Sequence, residues 1–293
     1  PRSLRISAIS FFPKNSYLPI LIIWNKRKQA ERRRDFSLQN TFERREKKVL
    51  VDEELFPEIE KKILTHFVAD KYNVGGKPYE ICNIYFDDEY RSVTRHSVSK
   101  PEYKEKLRLR SYGTPNLSED VFLEIKRKLA GIGTKRRARL SLSKMYEYLK
   151  TGILPSFDTY IDGQVMREAD YFIKSKSLRP SVYIGYMRNA YFDRDDPSLR
   201  LTVDRDIVTR YDDLLLESGR YGSPLLPEGK LLMEIKFSGA TPLWFAHTLS
   251  EYGLSYINYS KVGRDFMKET AEHAAEKDRD KDKAKTKTER IIL

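Results

Sequence analysis

The sequence predicts an α+β fold: an eight-stranded antiparallel β-barrel with helices inserted between its strands and flanking them. Three observations carry that expectation. Short segments alternate apolar and charged residues, as in Lys106-Leu107-Arg108-Leu109-Arg110, Phe122-Leu123-Glu124-Ile125-Lys126 and Leu232-Met233-Glu234-Ile235-Lys236. Alternate side chains of a strand point to opposite faces, so each segment has one apolar and one charged face. The charged faces consist almost wholly of Lys, Arg and Glu, and they recur along the chain. A closed sheet lined with charge satisfies all three.

Residues 1–40 are expected to lie outside the fold, since their longest apolar run, 17–24, contains Pro19 and leads into the basic run 26–34. Residues 41–51 alternate and form a first strand. Asp52 opens a helix to about His66, with Pro57 near its start. Gly75-Gly76 turns the chain into a strand over 79–86. A short helix over 88–98 precedes a strand over 103–112, a turn-rich hairpin connection over 113–118 and a returning strand over 121–128. Past Gly133, the run 135–140 alternates again. Residues 141–150 and 163–176 read as helices, the former with Met145, Tyr146 and Leu149 spread amphipathically. Strands follow over 181–192, 199–208 and 230–237, then a helix over 242–252 ended by Gly253. A short helix to Lys268 completes a domain of residues 41–268. Residues 269–293 form a charged tail, rich in Lys, Asp and Glu and without apolar periodicity.

Composition narrows the function classes. The chain of 293 residues is 40% hydrophobic and 12% aromatic, enough for a sizeable core, which excludes global disorder. A net charge of +12 favours polyanionic partners such as nucleic acid, nucleotides, phosphate polymers or anionic membrane. The single cysteine, Cys82, excludes an internal disulfide and a cysteine-based zinc site, and fits a cytoplasmic location. No stretch approaches the ~20 apolar residues of a membrane-spanning helix. His66, His96, His247 and His273 are scattered without metal-ligand spacing.

The charged faces carry the chemistry. Arg44, Glu46 and Lys48 share one face; Lys106, Arg108 and Arg110 share another; Glu124, Lys126 and Lys128 a third; Lys135, Arg137 and Arg139 a fourth. Arg188, Arg200, Asp204, Glu234, Lys236 and Lys261 complete the set. Arginine forks and lysine ammoniums suit phosphate oxygens. Carboxylates placed among them suit a divalent cation that bridges to phosphate, and hard oxygen ligands favour Mg²⁺ or Mn²⁺. The alternative is a set of solvated salt-bridge ladders on an open sheet.

Arg44-x-Glu46-x-Lys48, Tyr85-Phe86-Asp87, Lys106 to Gly113, Phe122 to Lys126, Arg188 to Phe192, Arg200 to Asp204 and Tyr259-Ser260-Lys261 together resemble the VTC polyphosphate polymerase domain. That family belongs to the triphosphate tunnel metalloenzymes, and the resemblance covers about residues 41–268. It implies an eight-stranded tunnel that binds ATP at one mouth and passes its γ-phosphate to a growing polyphosphate chain, with Mn²⁺ or Mg²⁺. By position it makes Lys48, Arg108, Arg110, Lys126, Lys135, Arg188, Arg200 and Lys261 phosphate ligands, with Glu234 a metal ligand and Ser260 near the triphosphate. Arg44, Lys106, Arg137 and Lys236 join the nucleotide-binding set. Glu46 and Glu124 either help hold metal or tether lysines.

Two departures stand out. Val49 occupies a position that is often aromatic in such domains, and the regulatory domain and membrane spans of the eukaryotic transporter-linked forms are missing from this sequence, which resembles the standalone bacterial type. The expected function is an ATP-dependent polyphosphate polymerase acting on ATP and polyphosphate, with no nucleic-acid partner. A triphosphate hydrolase of the same tunnel fold and a non-catalytic polyphosphate or nucleic-acid binder are the alternatives.

Overall fold

The computed structural model describes residues 41–42, 45–130, 132–196 and 198–292. The expectations for residues 1–40 and for Arg44 therefore lie outside the described residues. Among those described, one antiparallel sheet of 12 strands organises the chain. In chain order these are β1 (Thr41–Phe42), β2 (Arg45–Asp52), β3 (Phe67–Ala69), β4 (Tyr79–Asp87), β5 (Tyr103–Tyr112), β6 (Asp120–Leu129), β7 (Ile132–Ser141), β8 (Arg179–Asp193), β9 (Arg200–Arg210), β10 (Ser223–Pro224), β11 (Lys230–Phe237) and β12 (Tyr256–Ile257). The path runs β1-β7-β6-β5-β4-β8-β9-β11-β2-β12, with β10 on β9 and β3 on β8.

This corrects the expected closed barrel of eight strands in two respects. The eight long strands are present, but four pieces of two or three residues join them. Such pieces are too short to show the alternation that reveals a strand in sequence. The sheet is also not closed by a ladder between β7 and β2. The expected first strand is instead split: β1 pairs with β7 through Thr41↔Thr134, whereas β2 pairs with β11 along its whole length.

Helices cover the outward, apolar faces. α1 (Phe56–His66), α2 (Ser92–Val98), α3 (Leu142–Thr151), α4 (Tyr160–Ser175), α5 (Leu243–Glu251) and α6 (Lys261–Ile292) complete the fold. Leu107, Leu109, Leu123, Ile125 and Ala138 pack beneath α3 and α4, against Met145, Met166 and Phe172. Val49, Val51, Val203, Met233 and Ile235 pack beneath α1 and α5, against Ile59, Ile63 and Phe245. Local sequence sets the helix starts. Ser141 and Thr159 accept the Lys144 and Asp162 amides at the heads of α3 and α4. The Asp87 carboxylate, at the end of β4, accepts the amides of Val93 and Thr94 at 2.9 Å each.

A third apolar cluster sits on the inward face. Leu232, Ile81, Ile184, Tyr186 and Ile207 gather there with Val262 from the first turn of α6. Ile207 reaches this face because the β8–β9 register shifts between Gly185 and Met187, next to Asp206 at φ 49. One extra residue reverses which side chains point inward.

Leu123→Ala removes a side chain that is 0% exposed between β6 and the helices. We expect a loss of about 2–5 kcal/mol, seen as a lower urea midpoint with an unchanged m-value.

Candidate active site

Strand register assembles the inward charged face residue by residue. On β5, Lys104, Lys106, Arg108 and Arg110 stand opposite Lys128, Lys126, Glu124 and Phe122 of β6. Those four stand in turn opposite Gly133, Lys135, Arg137 and Arg139 of β7. On β4, Tyr85 and Asn83 face Arg108 and Arg110. Across the sheet, Arg188 of β8 pairs with Asp204 of β9. Glu234 and Lys236 of β11 stand opposite Lys48 and Glu46 of β2, and Lys236 also faces Arg200 of β9. The alternation noticed in single strands thus becomes one lumen.

Three carboxylates organise its cations. Glu124 is fully buried, and its Oε2 accepts Arg108 Nε at 2.8 Å and Nη2 at 2.7 Å. Its Oε1 forms an ion pair with the Lys135 ammonium. Burial alone would raise this carboxyl, but Arg108, Arg110 and Lys135 hold it well below the usual range. Asp204 is likewise buried and takes Arg188 as a fork, Nε at 2.6 Å and Nη2 at 2.7 Å, with Lys261 Nζ at 2.5 Å. Against the cost of its burial, Arg188 and Lys261 keep it ionised. Glu234 pairs with Lys236; although burial opposes it, Lys236, Lys48, Lys261 and Arg188 press its carboxyl well below the ordinary value.

The remaining groups fill the gaps. Lys48 donates to the Tyr259 carbonyl at 2.6 Å and pairs with Glu46 at 2.8 Å, while Lys236 lies 3.8 Å from Glu46. Lys106 donates to Ser260 Oγ at 3.0 Å. Arg110 donates to Asn83 Oδ1 at 2.8 Å and to Tyr186 Oη at 3.2 Å. Arg137 lies over Phe122, and Arg200 lies over Phe192 and 3.4 Å from Asp70, so both sit toward one end of the lumen.

The structure therefore gathers every described residue of the expected set onto this face or its ends. It adds Tyr85, Tyr186 and Asn83, which the sequence reading did not assign to the site. All three occupy the same strand parity as the charges, and that parity was the available signal. Arg108 donates to Tyr85 Oη at 3.1 Å. Enclosure would raise this phenol, but Arg108, Arg110 and Lys106 outweigh it and bring the group down to about 7.

Lysines face lysines over part of the lumen: Lys104↔Lys128, Lys106↔Lys126 and Lys126↔Lys135 are direct cross-strand neighbours. Like charges so placed repel. Enclosure first, and crowding by neighbouring cations second, push Lys106 and Lys126 down to about 8. Lys126 is exposed to solvent, which tempers the cost of enclosure. Lys135 falls to about 7 through burial, despite the pull of Glu124.

A divalent cation fits part of this site. Among the described residues, no group of three or more His, Cys, Asp or Glu comes together to cage a metal. Mg²⁺ needs no such cage, because one or two carboxylates suffice when substrate phosphates and water supply the rest. Glu234 and Glu46, both contacting Lys236, provide that donor set. Glu124 is held differently, with Oε2 accepting from Arg108 and Oε1 in an ion pair with Lys135.

The sheet and its lumen define the class: an α+β tunnel protein with a cation-rich interior. Residues 43–265 match the family model for the VTC domain, and the chain belongs to that family. No curated protein sequence matches the chain. Among solved structures, PH1819 from Pyrococcus horikoshii OT3 is similar at 14% identity, covering 77% of this chain and 99% of that one, with a TM-score of 0.38. HpAC1 from Hippeastrum, described with a dominant triphosphatase activity, is 17% identical over 75% of this chain and 94% of its own, with a TM-score of 0.41. Likeness at this level carries no functional argument. No helix among the described residues is long and apolar enough to cross a membrane.

A bound polyanion favours the charged forms of Lys106, Lys126 and Lys135 and so raises their depressed values. Binding above about pH 7 must then take up protons, and affinity must fall as pH rises toward 9. Calorimetric titration with inorganic tripolyphosphate at about pH 8.5, in buffers of different ionisation enthalpy, should show net uptake of about one proton or more. Zero uptake with pH-independent affinity contradicts the assignment.

Proposed function

We propose that this VTC-family protein is an ATP-dependent polyphosphate polymerase. The observation that carries this reading is the lysine ladder, Lys104↔Lys128 and Lys106↔Lys126↔Lys135. These cations continue past the Arg108–Glu124 level; among the described residues their cross-strand partners are lysines or Gly133, and of the five only Lys135 forms an ion pair, with Glu124. From Arg110 to Lys104 the cationic row on β5 extends about 20 Å at ~3.4 Å per residue. That exceeds the length of one triphosphate and suits a longer phosphate chain. A substrate of ATP also suits a cytoplasmic location.

In this reading the arginines position the phosphates. Asp204 holds Arg188 through Nε and Nη2, which leaves Nη1 on the other edge of the guanidinium for phosphate oxygens. Glu124 orients Arg108 in the same way, and Lys48, Lys261, Arg110 and Arg200 supply further positive charge around the chain. Glu234, with Glu46 beside it, would hold Mg²⁺ or Mn²⁺, which neutralises phosphate charge where the phosphoryl group moves. The terminal oxygen of the polyphosphate forms the new P–O bond as the bond from the γ-phosphorus to the bridging oxygen of ADP breaks. That acceptor oxygen is already ionised, so the protein needs no general base for elongation.

Tyr85 favours a second reading, triphosphate hydrolysis. With its phenol brought to about 7 beside Arg108, it is able to accept a proton from attacking water near neutral pH. The two activities separate in one assay. Purified protein with ATP and Mn²⁺ should yield long polyphosphate on a gel; ADP and free phosphate without polymer would falsify the polymerase reading.

Two variants extend the test. Arg108→Ala should lower turnover about 10²–10³-fold, with the circular dichroism spectrum retained. Tyr85→Phe should suppress phosphate release from triphosphate while sparing polymer synthesis, and equal loss of both would remove the basis for the hydrolytic reading.

A further inference from the structure

Arg108, Arg188 and Arg110 are gripped by the same edge of the guanidinium, but one of them has a different kind of partner. Arg108 gives Nε and Nη2 to the Glu124 carboxylate, and Arg188 gives the same two atoms to Asp204. Arg110 gives Nε to Asn83 Oδ1 at 2.8 Å and Nη2 to Tyr186 Oη at 3.2 Å. The first two are held by acids, and Arg110 is held by neutral groups.

Asn83 is committed to this contact from both ends of its amide. Its side chain is 0% exposed on β4, directly opposite Arg110 of β5. A guanidinium only donates and a backbone carbonyl only accepts, so the orientation of the amide is fixed. Oδ1 accepts from Arg110 Nε, and Nδ2 donates to the Ile184 carbonyl of β8 at 2.9 Å.

Charge around Arg110 stays in surplus. Arg108, Arg110 and Lys135 share Glu124, whose Oε2 lies 2.7 Å from Arg108 but 3.9 Å from Arg110. Arg110 is only 6% exposed, and an enclosed guanidinium without a carboxylate of its own is costly to keep. Aspartate at position 83 would cancel that charge, whereas asparagine holds the side chain and leaves the charge intact. The surplus is a cost to the empty lumen and a gain once an anion arrives.

We propose that Asn83 is a positioning residue for phosphate: with Tyr186 it fixes Arg110 by one edge and leaves its positive charge for the ligand. Asn83 acts through Arg110 and need not touch the phosphates. The inference rests on the reading that the lumen binds a phosphate chain, and it holds for polymer synthesis and hydrolysis alike.

The experiment measures the affinity of inorganic tripolyphosphate for the full chain, Asn83→Asp, Arg110→Gln and the double variant, with circular dichroism as the check on folding. We expect Asn83→Asp to weaken binding about 10-fold. Arg110→Gln should cost about 10²-fold in the native background. In the Asn83→Asp background it should cost no more than about 3-fold, because the charge it removes is already cancelled. Asn83→Ser, which frees Arg110 without adding charge, keeps the test open if the carboxylate facing the Ile184 carbonyl prevents folding; it should weaken binding and make the Arg110→Gln loss smaller. Salt dependence should become shallower in Asn83→Asp and stay unchanged in Asn83→Ser, since only the former removes positive charge. Losses that multiply in full, or affinity that ignores both Asn83 changes, overturn the positioning role and leave the phosphate lumen standing. If tripolyphosphate does not bind the unaltered protein, the proposed function falls with it.

Discussion

Everything in the lumen depends on buried counter-charge. Cations drawn from separate strands cannot be enclosed together unless acids are enclosed with them. Glu124 and Asp204, each 0% exposed, meet that requirement, and each fixes one arginine by a two-point contact. Removing either acid would leave a guanidinium buried without compensation, a far worse outcome than the loss of one hydrogen bond. The carboxylates thus serve the fold first, and through it they fix the orientation of the arginines.

That arrangement dictates the rest of the architecture. A sheet that turns its charges inward must turn most of its apolar residues outward, so the larger part of its core lies outside the curved sheet. Two helix layers are the consequence, α3 with α4 over one part and α1 with α5 over another. The inward apolar cluster around Leu232, Ile184 and Val262 fills the portion of the interior that carries no charge. The first turn of α6 joins the two environments: Val262 packs into that cluster while Lys261 reaches Asp204.

Much of this was legible in the sequence because strand parity is a local property. Alternation in 106–110, 122–126 and 232–236 shows which residues share a face, and the structure puts them on one face. Pairing across strands is not local. Nothing around Glu124 distinguishes a metal ligand from the tether of Arg108 and Lys135, since that depends on β5 and β7 lying to either side of β6. The split between β1 and β2 and the register shift near Asp206 escaped for the same reason: each is decided by partners distant in sequence. The anchor of Arg110 was hidden differently, because Asn83 sits in an apolar strand and shows its role only with Arg110 opposite it.

The facing lysines give the lumen a further character. Enclosure and mutual repulsion push the Lys106 and Lys126 ammonium groups down to about 8, the range in which a weak-base ion exchanger works. Its capacity is set by proton occupancy rather than by the number of lysines alone. Simple salts compete for it by mass action, and a multivalent phosphate chain displaces many small ions at once, with a gain in their entropy. If the lumen takes a phosphate polymer, as proposed above, each added phosphate would hold it more firmly.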